Sequence, residues 1–146
     1  MLSFGRSGIL QIKSFSLEKH MGEYDTWPSK TRLFKDGEFV GKEIPGYFIE
    51  RQFSIGKGYY FLITSYDCPF EEQCDLIMLN EDYEIIAKRS LMPWYYSSWN
   101  LDSHKYLSNS RLLLIFNTNY HLEVSLHPRK LFSWRKISLS RVNHAS

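Results

Sequence analysis

Short runs of alternating apolar and polar residues recur along the chain, each closed off by turn residues. No long stretch holds apolar residues at the i, i+3, i+4, i+7 spacing of an amphipathic helix. Tyr120–Leu126 alternates strictly, which predicts a strand with one apolar and one wet face. Residues 59–66 are aromatic and aliphatic on both parities, which predicts a strand buried on two faces. Asp36-Gly37 stands between Leu33-Phe34 and Phe39-Val40. That is a hairpin signal, because both central positions of a type I′ turn need positive φ. Gly56-Lys57-Gly58 and Asn117-Thr118-Asn119 mark two further turns, and residues 18–24 are the only helical candidate.

The alternation also repeats, which points to a modular β fold. The stretch from Leu33 to Lys42 aligns without a gap on that from Leu79 to Lys88, and the segment from Leu131 to Lys136 echoes that from Tyr83 to Lys88. Pro45-Gly46-Tyr47-Phe48 is answered by Pro93-Trp94-Tyr95-Tyr96, and Tyr60-Phe61-Leu62-Ile63 by Leu112-Leu113-Leu114-Ile115. The chain therefore divides into units of about 1–44, 45–92 and 93–146 within one β domain. Unit two is expected to place strands at 47–55, 59–66, Cys74–Leu79 and 83–91. Unit three is expected to place them at 95–101, Arg111–Phe116, Tyr120–Leu126 and 131–139. Three repeated four-stranded antiparallel units read as an all-β, propeller-like architecture, a partial or half β-propeller. The alternative is a sandwich or barrel of meandering hairpins. Closed propellers usually have four to eight blades. Three blades thus either stay open, as a monomer completed by its partner, or close by joining two chains.

Composition narrows the function. The 146 residues are one domain's worth, and 16% of them are aromatic, which favours strands and binding surfaces. A net charge of +2 is too small to indicate nucleic-acid binding, and no apolar run is long enough for a membrane-spanning helix. No signal-peptide core follows Arg6, so the chain is expected to be cytoplasmic with Cys68 and Cys74 as free thiols, a disulfide across their loop being the alternative. Their spacing does not match a zinc knuckle, and no metal or cofactor is expected. His121 and His127 lie too far apart along a strand to chelate one ion. His121 with Glu123 reads as a solvated pair, and Ser103-His104 lacks nucleophile geometry. No G-x-S-x-G, H-E-x-x-H or phosphate-loop motif is present, so the chain is not expected to be an enzyme.

Charge is segregated. Between Gly58 and Ala87 every charged residue is acidic: Asp67, Glu71, Glu72, Asp75, Glu81, Asp82 and Glu84. Between Val124 and Ser146 every one is basic: Arg129, Lys130, Arg135, Lys136 and Arg141. The cluster Asp67, Glu71, Glu72 and Asp75 is a candidate docking face for a basic partner, since complementary charge raises association rates. Trp94, Tyr95, Tyr96 and Trp99 form a second candidate contact, because Tyr and Trp dominate interface hot spots.

A small β protein without a catalytic motif, rich in aromatics and carrying a local acidic segment, resembles in type the immunity proteins of bacterial polymorphic toxin systems, including contact-dependent growth inhibition. The resemblance rests on no signature residue and carries over no family site. It implies a protein partner, a cognate toxin domain such as a nuclease, whose active site is covered, with no membrane or direct nucleic-acid partner. The chain departs from acidic nuclease-neutralising members in being slightly basic. The rival reading is a carbohydrate-binding, propeller-like lectin using the Pro-Gly-Tyr-Phe and Pro-Trp-Tyr-Tyr stretches.

Overall fold

The structure is a computed structural model describing residues 8–66, 73–91 and 100–142. In chain order the strands are β1 (Leu10–Gln11), β2 (Phe15–Leu17), β3 (Lys30–Lys35), β4 (Glu38–Pro45), β5 (Phe48–Ser54), β6 (Tyr60–Ser65), β7 (Cys74–Leu79), β8 (Ile85–Leu91), β9 (Leu101–Tyr106), β10 (Arg111–Phe116), β11 (Tyr120–Leu126) and β12 (Ile137–Val142). Helix among the described residues is confined to one turn, α1 (Ser133–Lys136), and a 3-10 turn at Tyr24–Thr26. The protein is all-β.

Three antiparallel sheets form, with orders β2-β3-β4, β1-β5-β6-β7-β8 and β12-β11-β10-β9. The second and third units are thus four-stranded meanders, as the repeat implies. The sheet counts are nevertheless three, five and four, because β1 leaves the first unit and pairs with β5. The β3–β4 turn adopts the predicted geometry, with Asp36 at φ 52° and Gly37 at φ 84°. Asn117 (φ 51°) and Thr118 (φ 64°) make an equivalent turn between β10 and β11. Asn80 organises the β7–β8 turn, its Oδ1 accepting the backbone N–H groups of Asp82 and Glu84.

The middle sheet lies between the other two. Phe53, Phe61, Ile63, Leu76 and Met78 face the third sheet and pack on Leu112, Leu114, Phe116, Leu122, Val124 and Ile137. On the opposite face Leu62, Ile77 and Leu79 pack on Phe15, Leu33 and Ile44 of the first sheet. This explains why β6 and β7 are apolar at both parities: every residue of β7 is buried. Each such large side chain contributes about 1.5–3 kcal/mol through its burial. The echo between residues 60–63 and 112–115 falls on β6 and β10, the second strands of their meanders.

Most of the strand expected at 95–101 lies outside the described residues, while β9 is found at Leu101–Tyr106. Two expectations fail. No helix forms at 18–24. The expected strand at 131–139 begins only at Ile137, where Leu126 supplies its partner. Pro128, which has no N–H to donate, follows the end of β11. The intervening segment instead leaves the sheet as a loop carrying α1.

Candidate functional site

The most unusual surface is that loop. His127 donates its backbone N–H to the Lys136 carbonyl at 2.7 Å, closing the base. The Lys136 ammonium reaches across it, donating to the Pro128 carbonyl at 3.1 Å and to the Lys130 carbonyl. The tip beyond this clasp exposes Leu131 (85%), Phe132 (53%) and Trp134 (62%). The Phe132 and Trp134 rings stack with centroids 6.0 Å apart, and the Arg135 guanidinium lies 4.7 Å from the centroid of Trp134. Arg129 and Lys130 precede the rings and Arg135 follows them, all exposed. An exposed apolar projection of this kind is a candidate interaction site, since folded proteins rarely leave such patches bare. Burial and the neighbouring Lys130 charge lower the His127 pKa, so at neutral pH the base of the loop is uncharged at that residue.

Beside the tip a cleft of about 420 Å³ runs between the β5–β6 turn and the loop, lined by Ile9, Lys57, Tyr59, His127, Arg129 and Lys130 among others. It adjoins a polar notch where Glu81 and Asp82 share the walls with Lys57 and Arg129. These acids offset two of the cations, so the notch is mixed in charge.

A second concave surface lies at the other face of the middle sheet. A groove of about 430 Å³ runs between β2 and β5, with Trp27, Tyr47, Phe48 and His20 on its walls. Tyr47 is the hub of its rings: Trp27 and His20 meet it edge-on at 5.1 and 5.2 Å, and its hydroxyl donates to the Pro28 carbonyl at 2.8 Å. The Trp27 indole N–H is buried and finds no acceptor among the described residues.

Of the eight residues expected to contact a partner, Asp75 alone lies within the described residues. It is not a solvated loop acid. It is fully buried in β7, paired with Thr64 and Ser90, with one carboxylate oxygen accepting from Gln73 Nε2 at 2.8 Å and the other without a partner among the described residues. Asp67, Glu71, Glu72, Trp94, Tyr95, Tyr96 and Trp99 lie outside the described residues. The tip was hidden in the sequence because residues 131–134 alternate like a strand. The signal for it was the basic pair on each side, Arg129-Lys130 and Arg135-Lys136.

The remaining candidate groups show no reactive geometry. Cys74 is a free, buried thiol, and burial raises its pKa far above the ordinary value, against thiolate chemistry. Glu123 pairs with Arg111 at 3.1 Å. His104 accepts from Arg51 Nε at 3.3 Å, tying the third sheet to the middle one. Among the described residues no group of three His, Cys, Asp or Glu side chains is placed to hold a metal ion. Among the described residues no helix is long and apolar enough to cross a membrane. Compared with protein-family models, with curated proteins and with solved structures, the chain finds no match.

Proposed function

We propose that this protein is a non-catalytic cytoplasmic binding protein that neutralises a cognate bacterial toxin domain by covering its active site, as immunity proteins do. The observation that supports this best is the tip formed by Leu131, Phe132 and Trp134, where stacked rings and flanking arginines stand clear of a doubly packed β scaffold. Aromatic and arginine side chains are the types that anchor protein interfaces. The surface that meets this tip is concave, apolar at its centre and acidic at its rim, by charge complementarity. Asp67, Glu71 and Glu72, with Trp94, Tyr95, Tyr96 and Trp99, remain proposed contacts for a basic part of the same partner, such as a nuclease domain. Asp75 is withdrawn from that set because it is buried. We read the three stacked meanders as an open, partial propeller whose monomer is completed by the partner.

The test is co-expression with the toxin domain encoded beside this gene, scored by growth and by co-elution. Neutralisation should be accompanied by a complex, and Phe132→Ala with Trp134→Ala should weaken it at least tenfold. A toxin that is neither bound nor neutralised overturns the reading. The carbohydrate-binding alternative draws on the groove, where Tyr47 and Phe48 stand with Trp27. Glycan binding abolished by Tyr47→Ala would select it.

A further inference from the structure

Among the described residues no strand pairs with the outer edge of β2, and its backbone directions follow from its pairing with β3. Phe15 faces Lys35 and Leu17 faces Leu33, while the flanking bonds run from Asp36 N–H to Ser14 C=O and from Glu18 N–H to Arg32 C=O. Phe15 and Leu17 therefore occupy non-hydrogen-bonded positions, and their own N–H and C=O groups turn away from β3 toward the groove. At Phe15 both are occupied. The Gln52 carboxamide accepts from the Phe15 N–H at 2.8 Å and donates to the Phe15 C=O at 2.9 Å. A side-chain amide thus takes the place of a peptide group of a neighbouring strand. At Leu17, two residues on, no group among the described residues fills the equivalent place.

We propose that the groove between β2 and β5 docks an extended segment of a partner protein, which adds to β2 by pairing its backbone with Leu17. Gln52 shows on this same edge that an amide group fits with both bonds made, which is the chemistry of a peptide rather than of a sugar hydroxyl. Strand addition of this kind draws affinity from backbone bonds and specificity from pockets for alternate side chains. Here the wall is apolar: Phe48 is 43% exposed, with Tyr47 and Trp27 beside it. Glu18 and Lys19 on the rim offset one another, so the segment needs an apolar side chain toward the rings and no net charge. This inference does not rest on the toxin reading. It concerns a surface built from different elements than the tip.

The experiment pans a phage-displayed random heptapeptide library on the full-length protein. Enriched peptides are then synthesised and titrated with amide exchange followed by NMR. Binding should slow exchange of the Leu17 N–H at least tenfold. Leu17→Pro removes that donor without breaking a ladder bond, because the N–H faces away from β3, and should weaken binding at least tenfold. Phe48→Asp, at an exposed position, should do the same and serves where Leu17→Pro fails to fold. Tip variants should leave peptide binding unchanged, which separates this site from the proposed toxin contact. No enriched peptide, enriched peptides that leave Leu17 exchange unchanged, or a glycan held in the groove in their place would each overturn the proposal.

Discussion

Gly46 faces Thr64 so closely that a Cβ on the glycine would lie 2.7 Å from both Cβ and Oγ1 of the threonine. Gly46 also holds φ +107°, which L side chains rarely adopt. The corner is pinned from three sides: Thr31 Oγ1 donates to the Gly46 carbonyl at 2.6 Å, Thr64 Oγ1 to the Pro45 carbonyl at 3.0 Å, and Tyr47 N–H to the Ser65 carbonyl at 2.8 Å. It joins the first sheet to the middle one and sets Tyr47 in the groove. Gly46→Ala should therefore destabilise the fold by about 2–4 kcal/mol, the sum of backbone strain and overpacking. Urea denaturation followed by circular dichroism measures it. A midpoint equal to that of the parent protein would contradict this account.

Thr118 presents the opposite opportunity. It is a β-branched residue at φ 64°, where such side chains are outliers. Its N–H donates to the Asp102 carboxylate, which holds the turn in place. Thr118→Gly keeps that backbone donor and creates the Asn-Gly pair preferred in type I′ turns. Stability should rise by about 1 kcal/mol, because the strain disappears while the flanking strands are unchanged. Thermal melting checks the sign, and a lower Tm would show that the Thr118 hydroxyl matters more than its backbone.

These two turns also show what the sequence made legible. Asp36-Gly37 and Asn117-Thr118 stand between alternating runs, so local chemistry located them. Cys74–Leu79, Arg111–Phe116 and Tyr120–Leu126 were readable to the residue for the same reason. The partner of β1 was not readable, because two residues carry no local preference for β5 over β2. Nor was the fate of residues 131–134. Alternation reports that one face is apolar, but not whether a sheet covers it, and here the chain passes beyond the edge that would have done so. Asp75 failed for the converse reason. It fell within the expected strand Cys74–Leu79 but was grouped with Asp67, Glu71 and Glu72 by proximity in sequence, and alternation did not show that β7 is covered on both faces.

Asp75 itself yields a prediction. One of its oxygens is buried with no hydrogen-bond partner among the described residues, and all of β7 and residues 61–65 of β6 are buried. Asp75→Asn retains an acceptor for Gln73 and replaces an unpaired carboxylate oxygen by a neutral amide of the same shape. A buried carboxylate oxygen left without a hydrogen bond is costly, so the variant should be more stable by about 1 kcal/mol or more. It should leave the association rate with any basic partner unchanged, in contrast to Glu71→Lys or Glu72→Lys. A destabilised Asp75→Asn protein would mean that this position needs an acceptor where the variant puts an N–H2 donor.

His104 couples the third sheet to pH. Its Nδ1 accepts from Arg51 Nε, and Arg51 NH2 also reaches the Asp102 carbonyl at 3.4 Å. Nδ1 can accept only while the ring keeps that lone pair. Protonation ends the bond and sets a second cation beside Arg51. Burial first, and the Arg51 charge second, lower the folded-state pKa below the ordinary value near 6.5. Between that lowered pKa and about 6.5 the unfolded chain binds more protons at this site than the folded one. The stabilisation is therefore complete above about pH 6.5 and is lost as pH falls through the window beneath it. Urea midpoints taken between pH 7.5 and 5 should decline for the parent protein. They should decline less for His104→Asn, whose amide oxygen can still accept from Arg51 but does not titrate. His127 shifts in the same direction, so part of the slope should survive in that variant and disappear on adding His127→Asn. Identical slopes for all three proteins would remove both histidines as the source of the pH dependence.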